Sequence, residues 1–409
     1  MKVEDIKTIA VLGAGLMGHG IAQVCAMAGY KVWMRDIKKE FLDSGMQKIQ
    51  WSLSKLVERQ KISEANAEAA LGRISTTLDL KEAAKDADVV IEAIPEVMSL
   101  KQETFKELDK ICPPHTILAS NTSSLSITEI AKATKRPDKV VGMHFFNPPQ
   151  IMRLVEVIYG EKTSHETAQV IYDLSKKLGK EPVYCRKDVP GFIANRVMTP
   201  PGVFFCWLIS EGVIKPEEID SVLHLRAGQP MGALGLMDYT GIDTNYHVMK
   251  FFEEREPSKF KVPPIVEKLF KEGKLGVKTG EGFYKYPEKK WQVPSTWNEN
   301  TAKAAEQKFQ PFWGVYLSVN IAAELIANNV ATPEEVDKAV KLGFNMPFGV
   351  LELADSFGID TVVQQLEELA NKYGEIDNLK ALLTPHPLLK EMAKKGELGK
   401  KSGKGFYKY

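Results

Sequence analysis

His144 and Glu156 lie in two short apolar runs, Val140-Val-Gly-Met-His144 and Leu154-Val-Glu-Val-Ile158. A carboxylate amid apolar strand residues costs free energy unless it is paired. A separation of 12 residues lets a second strand bring it back beside the imidazole. So placed, Glu156 would fix the tautomer of His144 and leave the other ring nitrogen to take a proton from an alcohol, as hydride transfer requires. Spacing alone equally allows a structural His–Glu ion pair. A second constellation, Gly13-Ala-Gly-Leu16-Met17-Gly18, follows a β-branched run and precedes a helical pattern. Gly13 permits a tight turn, Gly15 lets the backbone approach a pyrophosphate, and Gly18 lets the helix pack on a sheet. Phosphates would sit at the helix N-terminus, where free N–H groups favour anions. Asp36 ends the next strand; a carboxylate there accepts ribose hydroxyls and repels a 2′-phosphate, favouring NAD over NADP, with Arg35 as the contrary sign. The other reading is a glycine-rich turn without a ligand.

Ser120-Asn-Thr-Ser123-Ser124 closes a further apolar run, at the end of a strand where doubly wound sheets bind ligands. Ser126 or Thr128 could instead cap the following helix, with Glu129 completing a capping box. Asn195, in Asp188-Val-Pro-Gly-Phe-Ile-Ala-Asn-Arg196, falls one turn into a new helix, either as a structural amide or facing a substrate oxygen. His19 reads as a solvated helix residue near the glycine motif. His115, His165, His224, His247 and His386 read as surface or core residues.

Strands are predicted near residues 7–12, 31–34, 89–94, 117–120, 140–145 and 155–158, with one or two long helices over 38–72. This alternation predicts an α/β, doubly wound, mainly parallel sheet. Beyond residue 189 the pattern is helical and repeats itself. Pro216-Glu-Glu-Ile-Asp220 returns as Pro333-Glu-Glu-Val-Asp337 at an offset of 117, and Asp238 returns as Asp355. Leu275-Gly-Val-Lys-Thr-Gly-Glu-Gly-Phe-Tyr-Lys-Tyr286 returns as Leu398-Gly-Lys-Lys-Ser-Gly-Lys-Gly-Phe-Tyr-Lys-Tyr409. The expected domains are 1–189, a first helical domain 190–290, a linker 291–310 and a second helical domain 311–409, packed as a pseudo-dimer in cis.

Composition narrows the classes. A chain of 409 residues predicts two to three domains. A net charge of +1 gives no basic excess for a nucleic-acid surface. No apolar run approaches the ~18 residues of a membrane span. Glu4 and Asp5 stand where a secretory signal needs basic residues. Cys25, Cys112, Cys185 and Cys206 have no metal-like spacing and point to reduced thiols in the cytoplasm.

These motifs resemble the L-3-hydroxyacyl-CoA dehydrogenases, also called 3-hydroxybutyryl-CoA dehydrogenases, over nearly the whole chain. The resemblance rests on GAGLMGHGIAQ, DADVVIEAIPE, SNTSSL, HFFNPP, LVEV, KDVPGFIANR, PMG and KTGEGFYKY, in that order. It implies a Rossmann-type domain, NAD as cofactor, and reversible oxidation of a 3-hydroxyacyl-CoA, with short-chain 3-hydroxybutyryl-CoA the expected substrate. By the same resemblance His144 is the general base, Glu156 orients and polarises it, and Ser123 and Asn195 hydrogen-bond the substrate. Glu96 and Lys101 fall at NAD contacts, Asn147 at the nicotinamide pocket, and Lys278 at a further cofactor contact. Ser52 falls at a coenzyme A contact, and Arg59 stands where a lysine is usual. The helices over 40–72 then read as a hairpin clamping the anionic coenzyme A, with Lys48, Lys55, Arg59 and Lys61 supplying charge; Lys48 and Lys55 also fit a solvated helix face.

There are departures. Phe205-Cys206-Trp207 replaces an Asn-Glu-Ala usual in relatives, and Gly232-Ala-Leu-Gly-Leu236 lacks a usual Pro and Glu. The second copy carries Phe312 where Asn195 would recur, so it reads as a packing partner. A homodimer and an enoyl-CoA hydratase partner are both compatible with this reading. The competing readings are a dehydrogenase of 3-hydroxy acids without coenzyme A, and a non-catalytic NAD-binding protein.

Overall fold

The computed structural model describes residues 1–376 and 379–409. They form two units: Met1–Ile193 with Asn329–Pro347, and Ala194–Asn328 with Phe348–Tyr409.

The first unit is built on an eight-stranded sheet of β1 (Thr8–Leu12), β2 (Lys31–Arg35), β3 (Ile74–Thr77), β4 (Val89–Glu92), β5 (Ile117–Ser120), β6 (Val140–Phe145), β7 (Leu154–Tyr159) and β8 (Glu181–Cys185). Their order is β3-β2-β1-β4-β5-β6-β7-β8. All neighbours run parallel except β6 and β7, which are antiparallel. The chain winds outward from β1 to β3, then crosses back to β4. The switch point beyond the ends of β1 and β4 is where such sheets bind ligands. Strands β4, β5 and β6 are buried along their whole length, which is why they read as continuous apolar runs.

The sequence pattern misses β3 and β8. β3 is a four-residue edge strand, Ile-Ser-Thr-Thr, with little apolar content. β8 carries Pro182, which an edge strand tolerates. The stretch 38–72 resolves into two helices, Lys39–Glu58 and Glu64–Gly72. Ser63 caps the second by accepting the Asn66 N–H at 3.1 Å.

In the second unit the helix Ala194–Ser210 buries Phe204, Phe205, Cys206 and Trp207. Phe205 meets Phe309 at 5.3 Å between ring centroids, and Phe204 meets Trp313 at 6.1 Å. The departure at 205–207 thus serves packing. The expected linker is partly structured: it contains the helix Glu299–Ala305, flanked by buried Trp297 and Phe309. Arg226 on the helix Pro216–Arg226 ties this helix through Glu299 at 2.6 Å. Asn329–Pro347 groups with the first unit. Arg186 there donates its N–H to the Val330 carbonyl at 2.8 Å and pairs with Glu335.

The KTGEGFYKY segment encloses a buried carboxylate. Asp238 accepts the N–H groups of Phe283 and Tyr284, both at 2.9 Å, and the Tyr286 hydroxyl at 3.1 Å. A Cβ on Gly282 would stand 2.0 Å from Asp238 Oδ1. Asp355 recurs with Phe406 and Tyr407 N–H at 3.0 and 2.9 Å, and with Gly405 in the crowded position.

Candidate active site

The loop after β1 is shaped by two of its glycines and opened by the third. Gly13 has φ +102°, and a Cβ there would stand 2.5 Å from the Ala93 carbonyl oxygen. A Cβ on Gly18 would overlap the Gly13 carbonyl oxygen at 1.8 Å. Gly15 has nothing within 4 Å of that position. Open backbone at the head of the helix Gly18–Met27 is the cradle a pyrophosphate needs, so these residues fit NAD. Leu16 is exposed and Met17 half-buried beside this opening.

Asp36 closes the far side. Its carboxylate accepts the Ala14 N–H at 2.7 Å and the Ile37 N–H at 2.6 Å, and each oxygen keeps a lone pair for a ribose hydroxyl. The Arg35 Nε–H is donated to the Leu78 carbonyl at 3.2 Å. His19 is buried, not solvated, with Nδ1 2.6 Å from the Gly15 carbonyl oxygen. Burial lowers its pKa, partly offset by that carbonyl.

At the ends of β4 and β5 a buried ammonium organises the loops. Lys101 donates to Glu92 Oε1 at 2.6 Å and lies 3.2 Å from Glu96 Oε2. Glu92 Oε2 accepts the Ser120 hydroxyl at 2.6 Å. Glu96 Oε1 gathers the Thr122 hydroxyl at 2.6 Å and the Ser123 and Ser124 N–H groups at 3.0 and 3.2 Å. Burial resists ionisation of Glu96, but Lys101 and these hydroxyls outweigh it and hold its carboxyl below the usual range. Ser123 Oγ lies 3.4 Å from the same oxygen. Ser126 does cap its helix, accepting the Glu129 N–H at 3.1 Å.

His144 and Glu156 are directly paired across β6 and β7. His144 Nδ1 lies 2.7 Å from Glu156 Oε2, and Glu156 Oε1 accepts the Ile193 N–H at 3.1 Å. Both side chains are buried. The imidazole stands between Phe146 and Phe192, at 4.6 and 5.8 Å between ring centroids. Asn147 follows in the loop 146–153. Lys180 holds that loop, donating to the carbonyls of Pro149 and Met152, the latter at 2.9 Å. Burial pushes the Lys180 pKa down to about 8. Pro149 and Gln150 lie against Gly20, where a Cβ would meet Gln150 Oε1 at 2.5 Å, so the loop packs on the glycine-motif helix.

The remaining predicted residues lie elsewhere. Ser52 is buried on the helix Lys39–Glu58 and Arg59 is exposed at its end. Lys55 pairs with Glu58 at 2.7 Å. Asn195 lies in the first turn of Ala194–Ser210, in the second unit, where its carbonyl accepts the Thr199 hydroxyl at 2.7 Å. Lys278, also in the second unit, is bound to both oxygens of Asp243 at 2.6 Å, and Lys401 repeats the pair with Asp360. Among the described residues no His/Cys/Asp/Glu group could hold a metal ion, and no helix is long and apolar enough to cross a membrane.

Sequence reasoning misses Glu92 and Lys180, and it marks Asn121 only as a member of the serine-rich run, with no role of its own. Asn121 Oδ1 accepts the Phe145 N–H at 2.8 Å and ties the serine loop to β6. The signal for Glu92 was present: a charge in the apolar run Val89-Val-Ile-Glu, the same feature that marks Glu156. Lys180 follows a glycine between helix and strand and carries no such mark.

The family model for the 3-hydroxyacyl-CoA dehydrogenase NAD binding domain matches residues 8–189, and that for the C-terminal domain matches 191–286 and 315–409. The chain is 48% identical over 286 residues to a probable 3-hydroxybutyryl-CoA dehydrogenase of Bacillus subtilis, covering 70% of this chain and 99% of that one. It is 36% identical to the fatty acid oxidation complex subunit alpha of Pseudomonas savastanoi, over 96% of this chain and 56% of that protein. The crystal structure of 3-hydroxybutyryl-CoA dehydrogenase from Escherichia coli superposes with a TM-score of 0.85 at 30% identity, over 96% of this chain and 99% of that one. The chain belongs to the 3-hydroxyacyl-CoA dehydrogenase family.

Proposed function

We propose that the protein oxidises (S)-3-hydroxyacyl-CoA reversibly to 3-ketoacyl-CoA, with short-chain 3-hydroxybutyryl-CoA as its substrate. The observation that carries this reading is the buried His144–Glu156 pair at 2.7 Å. Because Nδ1 is turned to the carboxylate, Nε2 is the nitrogen that can face a substrate. NAD, when bound, would supply the acceptor for the hydride that leaves C3. His144 Nε2 takes the 3-hydroxyl proton, and in reverse the imidazolium returns it to the forming alkoxide. Glu156 stabilises the imidazolium and holds its tautomer.

Gly13, Gly15, Leu16, Met17, Gly18 and Asp36 would hold the cofactor's ADP half, with Glu96, Lys101 and Asn147 toward the nicotinamide. Ser123 and Asn195 would hydrogen-bond the substrate oxygens. The helices Lys39–Glu58 and Glu64–Gly72 would act as a clamp on coenzyme A through Ser52, Arg59 and neighbouring lysines. We leave Lys278 out of the ligand set, because Asp243 engages it and the pair recurs at Lys401–Asp360. The repeated helical segments would act as two subdomains of a pseudo-dimer in cis, in a cytoplasmic enzyme with an enoyl-CoA hydratase as partner.

The test is NADH consumption by purified protein with acetoacetyl-CoA and then a longer 3-ketoacyl-CoA. Consumption supports the reaction class, and the ratio of rates sets chain-length preference. Faster reaction with the free 3-keto acid than with its thioester would reject coenzyme A as the recognised group.

A further inference from the structure

Resting on that reading, we propose that the helix Pro333–Gly343, from the second helical half of the chain, positions the catalytic base through the contact series Gly343–Phe146–His144. The helix is anchored at its start. Thr332 donates its N–H to Glu335 Oε2 at 2.8 Å, and Arg186, just past β8, donates to Glu335 Oε1 at 2.9 Å. At its far end a Cβ on Gly343 would stand 3.0 Å from Phe146 Cε1 and 3.1 Å from Leu154 Cδ2. Phe146 is buried, and its ring lies 4.6 Å from that of His144, tilted by 46°. Leu154 begins the strand that carries Glu156. The glycine face therefore backs the neighbours of both members of the pair.

One hydrogen bond at Nδ1 leaves the imidazole plane free to pivot. The flanking rings of Phe146 and Phe192 set that plane. Phe146 can do so only while something holds it from behind, and close-packed interiors transmit small displacements. Gly343 is that backing, and it leaves no room for a methyl group without a shift. The second half of the chain thereby does more than bury apolar surface: it sets the angle at which Nε2 meets the substrate. Gly343 and Phe146 are positioning residues, since neither exchanges a proton.

The experiment compares G343V, F146L and the double variant G343V/F146L. For each, kcat and KM with acetoacetyl-CoA, NADH affinity by fluorescence, and thermal melting are measured. The expected result is a fall in kcat of about tenfold or more in G343V, equivalent to a small misplacement of the base, with NADH affinity within about twofold of wild type. F146L alone should also lower kcat, since it removes the flanking ring, and the double variant should lose clearly less than the product of the two single losses, because the valine then has no ring to displace. Unchanged kcat in folded G343V or in folded F146L, or single losses that simply multiply in the double variant, would overturn the proposal. If G343V does not fold, G343A paired with F146L carries the same comparison. If wild type consumes no NADH with any thioester, the functional reading fails by itself. The contact series is then decided by the NMR shifts of the His144 ring, which should move from wild type to G343A but stay the same between F146L and G343A/F146L; a shift that G343A does not cause, or causes equally without the Phe146 ring, would overturn it.

Discussion

His144 and Glu156 are cross-strand partners in the one antiparallel pairing of the sheet, β6 against β7. Their spacing is a strand register, and register determines which face a side chain meets. The 12-residue interval is the length at which the returning strand sets carboxylate opposite imidazole.

Replacing His144 by Gln removes the proposed base and leaves the glycine loop intact. Turnover should fall by about 10²–10⁴-fold with NADH affinity unchanged. Replacing Glu156 by Gln should lower turnover less. If the amide oxygen keeps the Ile193 N–H, its NH2 faces Nδ1 and forces the proton onto Nε2, the wrong tautomer for a base. Steady-state kinetics decide this; near-normal turnover in both variants rejects the assignment.

Gly13 and Gly15 should fail in different ways. G13A forces a methyl against the Ala93 carbonyl at φ +102° and should cost about 1–3 kcal/mol of stability. G15A meets no protein atom, so melting should be unchanged while NADH affinity falls by about tenfold or more. Calorimetry and NADH titration separate the two, and a G15A variant that binds NADH normally contradicts the phosphate cradle.

Asp220 gives the second unit a pH signature. Burial pushes its pKa up to about 7, against hydrogen bonds from Gly235, Leu234, Tyr284 and Ala233. The folded state therefore binds more protons than the unfolded one between the ordinary Asp range and pH 7. The stability it contributes is full below the unfolded pKa and is lost as pH rises through about 7. D220N sets an amide against N–H donors and should cost about 1–3 kcal/mol. The stability gap between wild type and D220N should narrow from pH 4.5 to pH 8 in urea titrations. A gap that stays flat or widens contradicts the shift.

Lys278 tests the limits of motif transfer. K278A should change stability by no more than about 1 kcal/mol, as an exposed pair does, and leave NADH affinity unaltered. A large loss of affinity would return Lys278 to the ligand set.

Much of this is legible in the sequence itself. Strands β5 and β6 fall at 117–120 and 140–145 as the apolar runs predict, because fully buried strands carry an unbroken signal. Edge strands do not: three of the four residues of β3 are polar and β8 contains a proline. The glycine loop, Asp36 and the His–Glu pair could be read from residue type and spacing. Glu96 and Lys101 came from resemblance, since their role depends on a helix folding back to bring an ammonium between two carboxylates. The segment 291–310 misled through composition: its polar residues hide Trp297 and Phe309, whose burial fixes a helix between them.

The enclosed aspartates limit how the chain can vary. At Asp238 the carboxylate fills the volume a side chain on Gly282 would need, and Asp355 does the same at Gly405. An alanine at either glycine collides with the carboxylate, while loss of the carboxylate strands two main-chain N–H groups. Each single step is a mutational dead end, so aspartate and glycine must change together or not at all. Drift between the two halves is then channelled to positions outside these pairs. In a saturation library, residues 238 and 282, and likewise 355 and 405, should show strong covariation.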